Sequence, residues 1–387
     1  MIQFLFCARA VMRKRSLTTA DCRRSSPRPF GVIAALIGVL ALAVTGPVLA
    51  QSADLHRSGP LTEQVIAVGD VHGDYSAYIE ILSAAGLIDQ DLDWAGGRTT
   101  LIQVGDVTDR GPDSRQIIDH LRDIQKQADK VGGKVIVLIG NHEAMNVIGD
   151  LRFVHPGEYA AFAGRRSKTI RDNFFKSNRD AFVTFYQRDN PDLSQREVKR
   201  AFEADYPLGY VEHRKAWAPN GEYGGWTLDN DSVSIIGDTL FVHAGISDDY
   251  LEFTVDEIND LVRDAIKAGA DKAPRSDGND PVAAALSDTS PLWFRGFANG
   301  QPEARDLVQS VLDRFSVKRI VVGHTPKIDG ITDFYGGRVI VIDTGAADYY
   351  GGPKSYLRIG GGTVEAVDNG SVRRIPLLPR EDGESDY

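Results

Sequence analysis

Six short apolar runs, each closing on small or metal-capable residues, constrain this chain more than any other feature. They read "QVIAVGDVHGD", "TTLIQVGDVTDRG", "KVIVLIGNHE", "TLFVHAG", "RIVVGHT" and "RVIVIDTG". Short runs rich in Val and Ile mark strands buried on both faces. Helix-period segments at residues 75–88 and 113–130 separate the first three, the second followed by Gly132 and Gly133. Strand, helix, strand, helix, strand predicts an α/β fold. In such folds ligands bind beyond the carboxyl ends of the strands, so the polar tips of all six runs can meet at one site.

Residues 147–237 break this pattern. Aromatic and charged residues mix in "GEYAAFAGRRSKTIRDNFFKSNRDAFVTFY", which predicts a helical insert with no strand run. Residues 165–179 hold six basic residues against one acid, read either as a solvated helix face or as a basic rim beside a phosphate site. Helical patterns return at residues 256–268 and 305–315. Short strands such as "SYLRI" and an acidic tail, "REDGESDY", follow.

The N-terminus is of another kind. Residues 1–29 carry seven Arg or Lys against Asp21 alone, and "FGVIAALIGVLALAVTGPVLAQSA" then runs without charge. A basic segment, an apolar segment and small residues around Ala50 predict a secretory leader over residues 1–50 and export to the periplasm. The alternative is an uncleaved anchor facing the periplasm, since the 21 residues 30–50 can span a bilayer. A linker at 51–62, a folded domain at 63–378 and a tail at 379–387 complete the expected organisation. Residues 51–387 hold 37 basic and 53 acidic residues, a formal charge of −16, which argues against a nucleic-acid partner. Both cysteines, Cys7 and Cys22, fall in the leader, so the exported body has no disulfide, cysteine nucleophile or Cys-zinc site.

The strand tips specify a chemistry. Asp70 and His72 follow the first run, Asp106 the second, Asn141 the third, and His243 and His324 end two more. Mixed oxygen and nitrogen donors suit a first-row divalent metal such as manganese, iron or zinc. Six donors are many for one open ion and suit two ions sharing a carboxylate. Of eight histidines, His72, His142, His243 and His324 close runs; His56, His120, His155 and His213 do not and read as structural or exposed. The D-T-G at Asp343 matches an aspartic-protease motif, but that chemistry needs two facing carboxylates and only one D-T-G occurs. Asp343 is therefore read as following the last core strand.

"GDVHGD", "GDVTDRG" and "GNHE" resemble the signature motifs of the phosphoprotein phosphatase branch of the calcineurin-like metallophosphoesterases, and "HAG" and "GHT" its later histidine motifs. "GNHEAMNVIGDLRFV", the long insert and "PLWFRG" are similar to the Shewanella-like protein phosphatases, over about residues 65–352. The resemblance implies two packed mixed β-sheets flanked by helices. It implies one metal on Asp70, His72 and Asp106 and a second on Asp106, Asn141, His243 and His324. A water or hydroxide between the ions would be the nucleophile, His142 the general acid oriented by Asp109, and Arg110 and Arg295 the phosphate clamp. Glu143 is read as a support. A phosphorylated protein or peptide is the implied substrate, with phosphotyrosine and phosphoserine/threonine both open. Dinucleoside polyphosphate hydrolysis is the alternative. A non-catalytic binding module is disfavoured because no ligand, acid or clamp residue is missing.

Overall fold

A computed structural model describes residues 64–271 and 286–379. The expected leader and linker, His56, and all but the first residue of the tail lie outside them. Among the described residues no helix is long and apolar enough to cross a membrane.

The first three runs form β1 (Val65–Val68), β2 (Thr100–Gln103) and β3 (Lys134–Val137). The chain then builds β4 (Val233–Ile236), β5 (Thr239–Val242), β6 (Arg319–Val322), β7 (Thr332–Phe334) and β8 (Val339–Val341). It closes with β9 (Ser355–Gly360), β10 (Thr363–Asp368) and β11 (Ser371–Arg374). One sheet has six strands in the order β11-β10-β9-β1-β2-β3, the other five in the order β4-β5-β6-β8-β7. Both are mixed: β1, β2 and β3 run parallel and β9 antiparallel to β1, while β5, β6 and β8 run parallel between antiparallel edges. Val65, Ala67, Ile102 and Val104 of the first sheet meet Phe241, Val321, Ile340 and Ile342 of the second in one buried layer. The two sheets thus pack face to face. This sandwich explains the apolar runs, because the outer faces are covered as well. Ile66 and Leu101 lie under α1 (Tyr75–Ala84) and α2 (Ser114–Val131), and Leu240 and Ile320 among residues of α10 (Val255–Asp271) and α11 (Arg305–Phe315).

Helix ends follow local chemistry. The Asp74 carboxylate accepts the Ala77 N–H at 2.9 Å and caps α1. That helix ends earlier than its periodicity predicts: Gly86 takes φ +70° and turns Leu87 and Ile88 back into the core. Gly132, at φ +81°, stops α2.

The insert is helical over most of its length: α4 (Pro156–Phe162), α5 (Ser167–Ser177), α6 (Arg179–Asp189), α7 (Gln195–Asp205), α8 (Tyr210–Ala216) and α9 (Glu222–Asp229). Phe175, Phe182, Tyr186, Val198, Phe202 and Tyr206 give it a core of its own. Its last residues correct the sequence expectation, since Val233–Ile236 is β4. "VSII" is too short to announce itself and becomes a strand by pairing with β5 across the Gly237-Asp238 turn.

Candidate metal centre

The site is made by loops that leave strand ends and double back. β3 runs through Leu138 and Ile139 to Gly140, and α3 (Asn141–Ile148) starts there, so Asn141 and His142 occupy its first turn. Glu143 explains why that turn holds its shape. Its carboxylate accepts from the backbone N–H of Gly140, Asp106, Val107 and Thr108 and from the Thr108 hydroxyl, at 2.8–3.1 Å. One side chain thus binds the loop after β2 to the start of α3. A Cβ at Gly140 would collide with the Asp106 backbone and carboxylate, so no other residue fits between them. The Val71 and His72 N–H groups donate to the Asp106 carbonyl, joining the loop after β1 to the same knot.

Strain gathers here too. Nine described non-glycine residues have positive φ, and five of them are His72, Asp106, Asp109, Arg110 and His324. Each costs of order 1–2 kcal/mol, a cost that persists only where the surroundings over-determine the conformation.

All ten residues singled out from the sequence come together. Asp70, His72, Asp106, Asp109, Asn141, His142, His243 and His324 are buried; Arg110 is half-buried and Arg295 exposed. Asp106 stands at the centre. Its Oδ2 lies 3.8 Å from His72 Nε2 and 3.9 Å from His142 Nε2, and its Oδ1 lies 3.4 Å from His243 Nε2. Two metal-capable groups result, His72–Asp106–His142 and Asp106–His243–His324, sharing that carboxylate. Asp70 Oδ2 is 3.9 Å from His72 Nε2. Asn141 Oδ1 is 3.0 Å from His243 Nε2 and 2.9 Å from His324 Nδ1.

The donor set fits a cation. His243 Nδ1 donates to the Val104 carbonyl at 2.8 Å, which turns Nε2 into the site. Burial lowers the pKa of His243, but Asp106 prevails and raises it, so a proton takes the place a cation would fill. That Nε2 faces Asn141 Oδ1 and Asp106 Oδ1, two electron-rich atoms that call for positive charge. His72 repeats the pattern: Nδ1 donates to the Thr108 carbonyl at 3.1 Å and Nε2 turns to the carboxylates. Burial pulls His72 down to about 3, and burial with His243 pulls His324 to about 2, so both are neutral, ligand-competent imidazoles. Burial, with Asp343 and Asp106 nearby, pushes Asp70 well above the carboxylate range. Burial pushes Asp106 the same way, but His243 and His142 outweigh it and hold it low. A pocket of crowded carboxylates and bare imidazole nitrogens is what a divalent ion satisfies.

His142 is held differently. Its Nδ1 is 2.7 Å from Asp109 Oδ2, which sets the tautomer, and its Nε2 is 3.3 Å from Arg110 Nη2. Burial would lower its pKa, but Asp106 and Asp109 prevail and raise it. The Arg110 guanidinium sits 5.0–5.1 Å from the ring centroids of Phe153, Tyr349 and Tyr350, a three-sided aromatic frame. Arg295 donates to the His324 carbonyl and the Thr325 hydroxyl at 3.0 and 2.9 Å.

Sequence reasoning missed three contributions. Asn146 donates to Asp109 Oδ1 at 2.8 Å; its place four residues after His142 on one helix face was the available signal. Asp343 belongs to the site rather than merely following a strand: it is fully buried, pushed up to about 6 by burial, and crowds Asp70. It too ends an apolar run. Nothing in the local sequence announces the frame around Arg110.

The model of the calcineurin-like phosphoesterase family matches residues 64–327. An uncharacterised protein of Schizosaccharomyces pombe is 32% identical over 328 residues, covering 80% of this chain and 82% of its own. Shewanella-like protein phosphatase 2 of Arabidopsis thaliana is 31% identical over 300 residues, covering 73% and 71%. The solved structure of a cold-active protein-tyrosine phosphatase from a psychrophilic Shewanella shares the fold. Its TM-score is 0.61 at 24% identity, over 83% of this chain and 81% of that one.

Proposed function

The chain belongs to the calcineurin-like phosphoesterase family and hydrolyses phosphoesters, and from that premise we propose that it is a two-metal phosphomonoesterase acting on phosphorylated proteins or peptides. The observation that carries this is the Asp106 carboxylate shared by two metal-capable groups, one of which includes His142, whose Nδ1 is held by Asp109. Asp70, His72 and Asp106 would hold one ion, and Asp106, Asn141, His243 and His324 the other. Manganese, iron and zinc all suit these donors. When bound, two such ions supply Lewis acidity that acidifies a water and offsets phosphate charge.

The remaining steps belong to side chains. Asp109 keeps His142 Nδ1 protonated and the ring fixed, so Nε2 can deliver a proton to the departing ester oxygen. Arg110, steadied by its aromatic frame, and Arg295, tied to the His324 loop, bind the phosphate oxygens through their planar forks. Tyrosine and serine or threonine esters both fit this chemistry. The names of the related phosphatases support a phosphoprotein substrate, and the expected leader supports action in the periplasm by a folded domain of residues 63–378.

The test is para-nitrophenyl phosphate hydrolysis by residues 51–387, stripped of metal and resupplied with manganese, beside Asp106→Asn. Metal-restored release that the substitution abolishes is the expected result. No release with any metal sinks the phosphomonoesterase reading and directs the assay to dinucleoside polyphosphates.

A further inference from the structure

Within the insert, α5, α6 and α7 enclose a groove of about 440 Å3. Phe175 and Val183, at the edge of the insert's own core, form its floor, and Lys176, Arg179, Arg196 and Lys199 its rim. The one acid present, Asp172, is already engaged, 2.9 Å from Lys168 Nζ and 3.4 Å from Lys199 Nζ. Arg179 donates to the Gln195 side chain. Among the described residues Lys176 and Arg196 have no ion-pair partner.

The surrounding sequence runs against the whole. Residues 165–200 hold ten Arg or Lys against five Asp or Glu, within a body of residues 51–387 whose formal charge is −16. A solvated helix face needs no apolar trough, and a trough without a ligand needs no two cations left without an ion-pair partner at its rim. Together they match a chain that offers an apolar side chain flanked by carboxylates. A long polyanion would meet repulsion from the rest of the body. An acidic peptide needs only the groove.

We propose that this groove docks an acidic segment of the phosphoprotein substrate, an apolar side chain resting on Phe175 and Val183 and carboxylates meeting Lys176 and Arg196. The proposal rests on the phosphoprotein reading above, but its test does not use catalysis. The manganese-loaded protein is titrated into a fluorescein-labelled, unphosphorylated twelve-residue peptide of Glu and Asp around one Phe, read by anisotropy. Lys176→Glu/Arg196→Glu, and the milder Lys176→Gln/Arg196→Gln, are compared with Lys126→Glu/Lys130→Glu on α2, which changes charge equally elsewhere. Circular dichroism checks folding.

The expected result is saturable binding that weakens as salt rises. Charge reversal in the groove weakens it at least about tenfold, neutralisation less, and the α2 change by under about twofold. Orthophosphate at a concentration that fills the catalytic centre, with ionic strength held constant, leaves it intact. No binding, equal loss in both reversed variants, displacement by orthophosphate, or tighter binding of an RNA of equal charge would each overturn the proposal. Para-nitrophenyl phosphate turnover by the unaltered protein reports separately on the phosphatase reading.

Discussion

His142 illustrates how one side chain acquires a role from its neighbours. Its Nδ1 is committed to Asp109 and its Nε2 faces the arginine of the proposed phosphate clamp. His142→Ala is expected to retain both metals, measured by elemental analysis, while kcat falls about 10²–10⁴-fold, most for poor leaving groups. Full turnover of a phosphoserine peptide by that variant would remove His142 from the proton-donor role. Asn146 acts one step further out, through Asp109. Asn146→Ala should cost about tenfold in kcat. It should keep its metals and steepen the dependence on leaving-group pKa as His142→Ala does; a loss equal for all leaving groups would make Asn146 merely structural. Tyr349 is a third case. Its ring packs on Arg110 yet remains 64% exposed, leaving area for a substrate. Stacking of that kind is worth about 0.5–1.5 kcal/mol. Tyr349→Ala should therefore lower the kcat/KM ratio of matched phosphotyrosine to phosphoserine peptides by about three- to tenfold. An unchanged ratio would confine the ring to steadying Arg110.

At the scale of elements, the insert is fastened to the catalytic loops rather than hung from them. Arg214 of α8 donates to the Asn146 carbonyl at 2.5 Å, at the C-terminal turn of the helix that begins with Asn141 and His142. On α4, the Glu158 carboxylate accepts the Ser114 N–H at 2.8 Å, at the first residue of α2. Two effects compete at Glu158: the helix N-terminus favours its ionised form, and burial disfavours it. Burial wins, and the carboxyl is pushed up to about 7. The sign follows. A group whose pKa rises on folding contributes stability that is complete below its unfolded value of 4.5 and is lost as pH climbs through about 7. Glu158→Gln removes that dependence. The variant's stability relative to the parent should improve between pH 4.5 and 7.5, by up to about 3 kcal/mol, in denaturant titrations at each pH. A difference flat with pH would show that Glu158 ionises in the fold as easily as in the unfolded chain.

At the scale of the whole molecule, the metal site is a concentrated electrostatic cost. Asp70, Asp106 and Asp343 are buried together, and the strained loops are held by the Glu143 carboxylate and, across the two sheets, by the His324 N–H on Asp70 and His243 Nδ1 on the Val104 carbonyl. A divalent ion that binds only the folded state relieves this by mass action, about 2.7 kcal/mol at a hundredfold excess over Kd. Manganese should raise Tm by several degrees in the parent protein and by far less in Asp106→Asn, measured calorimetrically. Equal rises in both would place the stabilising ion elsewhere.

The order of amino acids alone determined the α/β fold class, the positions of the six apolar strand runs and which polar residues stand at their tips. Each of those rests on local pattern: an apolar run, a polar tip, a glycine where the chain must turn. Only the tertiary structure decided which donors face each other. Asp70 accepts the His324 N–H across 254 residues of sequence, Asp343 meets Asp70 through the packing of two sheets, and three rings from two distant loops close on Arg110. β4 was invisible for the same reason, since four residues with no lasting period become a strand only when β5 lies beside them. Periodicity records which face of an element is buried. It carries no record of what that face is buried against.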